Sequence, residues 1–79
     1  MKVRVRLFGT LGRRVPGCTP GEPMEIELPA GAGVRDLLLS LGLSTPRDGI
    51  VTVGGKVRKE DAALEDGDTV EVLPPLHGG

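Results

Sequence analysis

The chain has one cysteine, one histidine and one aromatic residue, Phe8, and it lacks tryptophan, tyrosine, asparagine and glutamine. Each shortage excludes something. A lone Cys18 permits no intramolecular disulfide, so the usual staple of a small secreted domain is missing and a reducing compartment is the default. One aromatic cannot build the stacking platform that holds single-stranded nucleic acid. Charge of one sign is missing too: ten basic and eleven acidic residues leave a net charge of −1, without the basic excess of a general nucleic-acid binder. The stretch Met1-Lys2-Val3-Arg4-Val5-Arg6 has no apolar run of signal-peptide length, and no segment approaches a membrane span. These absences predict a cytoplasmic protein that engages neither nucleic acid nor membrane.

What is present fits one domain of 79 residues, near the lower limit for a core without staples. Val3, Val5 and Leu7 alternate with Lys2, Arg4 and Arg6, the period of a half-buried strand. Phe8 falls on the side of the arginines and is expected to face outward. Residues 9–23 hold four glycines and three prolines and read as a long connection with a short helical turn near Leu11 to Val15. Met24 to Leu28 alternates again, with Met24, Ile26 and Leu28 inward. An antiparallel pairing of these two strands is expected to set Arg4 and Arg6 against Glu25 and Glu27.

The period then changes. Val34, Leu37, Leu38 and Leu41 recur at i, i+3, i+4 and i+7, one stripe of a helix over 34–43. Gly33 and Asp36 suit its start and Gly42 its end. Ile50 to Val53 reads as a short strand, Gly54-Gly55 as a tight hairpin, and Lys56 to Arg58 as the return. Leu64 is expected to plug the core from a short helical turn. Asp66-Gly67-Asp68 signals a turn into a last strand, Thr69 to Leu73, with Val70 and Val72 inward. One apolar helix stripe must cover one apolar sheet face. The first and last strands alternate most cleanly and are placed side by side at the sheet centre. The expected fold is α+β, a ubiquitin-like β-grasp over 1–73 with a mixed sheet of four to five strands packed on one helix. Residues 74–79 form a flexible tail.

That tail, Pro74-Pro75-Leu76-His77-Gly78-Gly79, is the unusual stretch. Glycine offers no packing and loses much entropy when ordered, so two at a terminus make sense if the terminus itself does the work. The Gly33-Val34-Arg35-Asp36-Leu37-Leu38 helix start, Val51-Thr52-Val53-Gly54-Gly55, and the run from Leu64 through Asp66-Gly67-Asp68 to Pro74-Pro75 and Gly78-Gly79 resemble the ubiquitin-like sulfur carriers of MoaD/ThiS type. The Pro-Pro pair is most similar to the small subunit of molybdopterin synthase. Gly54-Gly55 departs from the Asn-Gly frequent in that family, and the prolines and glycines of 16–21 break the helical run common in its first loop.

The resemblance implies a chemistry. An E1-like adenylating enzyme would use ATP to activate the Gly79 carboxylate, and a persulfide would convert it to a thiocarboxylate. The sulfur would pass to the large subunit of molybdopterin synthase or to another sulfur-acceptor enzyme, in thiamine synthesis or tRNA thiolation. Conjugation to proteins, as in ubiquitin, and a non-catalytic interaction module whose tail is ordinary disorder are the remaining alternatives. The chain itself is expected to bind no cofactor and no metal and to be no catalyst alone: Gly31-Ala32-Gly33 lacks the Lys-Ser/Thr ending of a phosphate loop.

The residues suit that task. Fully extended, six residues span about 20 Å. Pro74 and Pro75 stiffen the base, Leu76 and His77 line the path into a partner, and Gly78 and Gly79 pass a narrow channel without a Cβ in the way. His77 is read as a channel contact in preference to a general base. The resemblance also assigns a partner-binding patch to Phe8, Val57 and Leu73. Cys18, in a loop with no neighbouring base, is read as an incidental thiol, and Glu60-Asp61 and Glu65-Asp66 as solvated charge.

Overall fold

The structure, a computed structural model, describes residues 1–15, 17, 22–43 and 49–74. In chain order the elements are β1 (Lys2–Leu7), α1 (Leu11–Arg14), β2 (Met24–Glu27), α2 (Val34–Leu41), β3 (Ile50–Val53), β4 (Lys56–Arg58) and β5 (Thr69–Leu73). The five strands form one sheet in the order β2-β1-β5-β3-β4. β1 and β5 are parallel neighbours at its centre, and every other pairing is antiparallel. This is the mixed sheet of a ubiquitin-like β-grasp. α2 carries the apolar stripe: Val34, Leu37, Leu38 and Leu41 are buried together with Val3, Val5, Leu7, Val70 and Val72 in one core.

α2 starts and stops for identifiable reasons. The Asp36 carboxylate accepts a hydrogen bond from the Gly33 N–H at 2.8 Å, half of a capping box whose other half Gly33 cannot supply. Two more orphan donors are satisfied from outside: Val34 N–H donates to the Ala62 carbonyl at 2.9 Å and Arg35 N–H to the Glu60 carbonyl at 3.0 Å. At the other end Gly42 takes φ 73°, and the Gly42 and Leu43 N–H groups donate to the Leu39 and Leu38 carbonyls. That is a Schellman ending, with Leu43 turned back into the core. The helix therefore stops at Leu41, immediately before the Gly42 expected to end it, and Leu43 is buried beyond that stop.

The Asp66-Gly67-Asp68 turn joins the two central strands. Lys2 N–H donates to Asp66 Oδ1 at 2.7 Å, Gly67 N–H to the Lys2 carbonyl at 2.7 Å, and Arg4 N–H to the Asp68 carbonyl at 2.9 Å. The start of β1 is thus held by the turn that launches β5. Gly54 and Gly55, at φ 60° and 86°, form the two-residue hairpin loop that demands positive φ at both positions. Both edge strands carry charge. Lys56 and Arg58 oppose Val53 and Val51 on the helix side of the sheet, a device that discourages edge-to-edge association.

Two expectations need correction. Arg4 does oppose Glu25, but Glu27 opposes Lys2, and Arg6 pairs with Glu71 on β5. Alternation fixes the face of a strand but leaves a two-residue slip free; here Val3↔Ile26 and Val5↔Met24 set the register. Leu64 enters the core from an isolated bridge segment, with Gly33 paired to Ala63, instead of from a helical turn. The helical turn expected near Leu11 to Val15 is present as α1, and its first residue, Leu11, and the residue after it, Val15, are buried in the core.

Candidate functional site

Opposite α2, the outer face of the sheet is built in rows. Alternation puts Arg4 and Arg6 outward on β1, with Phe8 just beyond its end, and Thr69, Glu71 and Leu73 outward on β5. Ile50 pairs with Leu73, Thr52 with Glu71, and Val57 with Thr52. The lower rows are polar. Arg6 opposes Glu71, and the Thr52 hydroxyl donates to Glu71 Oε1 over a long 3.4 Å. Arg6 Nε is buried without a hydrogen-bond partner among the described residues. The top row is apolar. Phe8, whose N–H donates to the Val72 carbonyl at 3.1 Å, lies one step beyond the Leu7–Val72 pair, level with Leu73. Leu73 is followed across the sheet by Ile50.

The residues assigned from sequence as a partner-binding patch are therefore on one face but not contiguous by themselves. Phe8 and Leu73 are neighbours and half-buried, whereas Val57 lies two strands from Leu73, on β4 in the Thr52 row, and is 66% exposed. Ile50, 45% exposed, joins them. It pairs with Leu73 and, with Val57, lines a shallow, mainly apolar hollow of about 320 Å³ bordered by Gly49, Arg58 and Lys59. Sequence reasoning missed Ile50 because Ile50-Val51-Thr52-Val53 is β-branched throughout and carries no alternation from which its face could be read.

The row ends where β5 does. Leu73 is its last residue and Pro74, which has no N–H, stops the ladder. Pro75, Leu76, His77, Gly78 and Gly79, assigned from sequence to tail threading and to the reactive terminus, lie outside the described residues, as does Cys18. Among the described residues no three His, Cys, Asp or Glu side chains gather as metal ligands, and no helix is long and apolar enough to cross a membrane.

A β-grasp domain with an apolar row on the open sheet face, ending at the point where a Gly-Gly tail departs, defines a ubiquitin-like carrier. Comparison with known proteins places it further: the chain belongs to the ThiS family, whose model matches residues 5–79, and is a MoaD/ThiS-type sulfur carrier. A Pyrococcus furiosus protein described as molybdopterin converting factor subunit 1 is 30% identical and superposes with a TM-score of 0.73, over 96% of this chain and 99% of that one. Subunit 1 in the complex of subunits 1 and 2 of the Helicobacter pylori molybdopterin-converting factor is 25% identical with a TM-score of 0.59, over 100% of both chains. Small archaeal modifier protein 1 of Haloferax volcanii shares the fold, with a TM-score of 0.76 at 17% identity over 95% of this chain and 98% of that one.

The apolar row and Val57 beside it give a prediction. Ile50→Asp and Val57→Asp are each expected to weaken binding to an adenylating or sulfur-accepting partner by about tenfold or more, as charge placed in an interface core does. Thermal unfolding should change little, because both side chains are exposed. Leu39→Asp on α2, 68% exposed away from the sheet, is the control and should leave binding unchanged in titration calorimetry. Equal effects from all three would remove the patch.

Proposed function

We propose that this chain is the sulfur-donating small subunit of a molybdopterin synthase. An E1-like partner transfers AMP from ATP to the Gly79 carboxylate and releases pyrophosphate. A persulfide sulfur on the partner then attacks the acyl carbon and displaces AMP. Cleavage of the resulting S–S bond by a second thiol leaves the thiocarboxylate on Gly79. ATP, the persulfide and the second thiol belong to the partner, and this chain supplies the acyl group and the surface that orients it. The loaded carrier then docks on the large subunit and gives up its sulfur to the pterin precursor, returning as the carboxylate.

The observation that carries this reading is the full-length likeness to molybdopterin converting factor subunit 1 at 30% identity. The H. pylori complex, in which a similar chain is paired with subunit 2, supports the choice of docking partner. A protein modifier would use the same terminus, since adenylation precedes either outcome.

The fate of the sulfur separates the readings. Loaded carrier mixed with a molybdopterin synthase large subunit and the pterin precursor should lose its sulfur and yield dithiolene product. Retention of sulfur there, with transfer to a thiamine-pathway or tRNA-thiolating enzyme, would replace the acceptor. Higher-mass conjugates joined through Gly79 to lysines would replace donation by modification.

A further inference from the structure

β5 lies between β1 and β3, and each of these neighbours places a glycine beside the end of β5. Gly9 follows β1, and Gly49 immediately precedes β3. Their φ angles are +61° and +149°, both in the region that favours glycine. A Cβ on Gly9 would stand 2.9 Å from Cγ of Pro74. A Cβ on Gly49, which is buried, would collide with the Leu73 carbonyl oxygen and stand 3.3 Å from Pro74 Cα. Every other positive-φ glycine among the described residues has open space where its Cβ would be. Those glycines serve a turn. Gly49 also admits the backbone of Leu73 and Pro74 on one side, and Gly9 the Pro74 ring on the other.

We propose that Gly9 and Gly49 are positioning residues for the tail, a collar that fixes where and at what angle the chain leaves the sheet. The inference rests on the reading of Gly79 as the activated group. Angle matters because the reacting carboxylate is far from the collar in sequence. Five residues beyond Pro74 span about 17 Å when extended, so a turn of about 10° at the base carries the end by about 3 Å. Misplacement of a reacting group by about 1 Å can cost about a hundredfold in rate. The collar lets one rigid domain dock on a partner's surface and deliver its terminus to a fixed point there.

The test compares Gly9→Ala and Gly49→Ala with Gly42→Ala, which has the same kind of strained φ (+73°) but open space around it. All three should melt earlier than the wild type. At a temperature where each is fully folded by circular dichroism, the two collar variants should lose about tenfold or more in kcat/KM for sulfur loading, and Gly42→Ala should not. Adding Pro74→Ala to Gly9→Ala removes the Cγ in the way and leaves the Cβ at 3.7 Å, so the double variant should return to the level of Pro74→Ala alone. Residual dipolar couplings at Leu73 and Leu76 provide a readout independent of any partner, and they should change in the collar variants and stay as in wild type for Gly42→Ala. Unchanged couplings, or equal loading of all three variants, would overturn the collar. Altered couplings in a chain whose wild type takes up no sulfur would uphold it and overturn the reading of Gly79 instead.

Discussion

Deleting Gly79, or replacing it by alanine, is expected to abolish sulfur loading and leave the melting curve where it was. Among the described residues the core lies between Val3 and Val72, and Gly79 has no side chain whose burial could be lost. Loading is another matter. Deletion moves the terminal carboxylate back by one residue, about 3.3 Å along an extended chain, several times the misplacement that costs about a hundredfold in a positioned reaction. Alanine keeps the length but adds a Cβ beside the acyl carbon, where AMP and then a persulfide must approach. A fall of about a hundredfold or more is expected for both variants. Intact-mass spectra of the reacted protein would read the loading, and differential scanning calorimetry the stability. Normal loading of the alanine variant would show that the partner tolerates a side chain at the reacting residue, against the role given to Gly79.

The second large effect is on the fold. Leu37→Ala should lower stability by about 2–5 kcal/mol, the range for a buried leucine whose cavity does not collapse. Leu37 is fully buried in the middle of the α2 stripe, between Val34 and Leu41 and against the β1 and β5 side chains of the same core. A domain of this length has roughly 0.05–0.15 kcal/mol of stability per residue, so the substitution consumes much of what there is. A melting point lower by about 10–30 °C follows for a domain of this size. Leu39→Ala, two residues along the same helix but exposed, should stay within about 0.5 kcal/mol of the wild type. Chemical denaturation of the pair checks this, and equal losses would mean that α2 does not pack by the stripe described.

Much of the architecture is legible in residue patterns because burial is periodic. Val3, Val5 and Leu7 on one strand and Val34, Leu37, Leu38 and Leu41 on the helix announce both their elements and their faces. Turn chemistry is equally legible where only glycine can serve, at Gly54-Gly55 and Gly67. What pattern could not supply is register and parity. Glu27 meets Lys2 because a two-residue slip preserves every face, and Ile50 went unassigned because its strand does not alternate. Leu11 and Val15 were concealed by the glycines and prolines around them, whose turn signal masks two residues that pack on the core. Gly9 and Gly49 are a third case. A glycine required by a neighbouring stretch of chain resembles any other glycine until the strand beside it is in place. The role proposed for Gly79, by contrast, comes from composition: two glycines, which have no side chain to pack.

The most direct measurement is the intact mass of the wild-type chain after incubation with an E1-like adenylating enzyme, ATP and a persulfide donor. The account predicts the increment of one sulfur replacing one oxygen, localised to the C-terminal peptide and dependent on ATP. An unchanged mass with every adenylating partner supplied, or sulfur found on Cys18 and absent from Gly79, would contradict it.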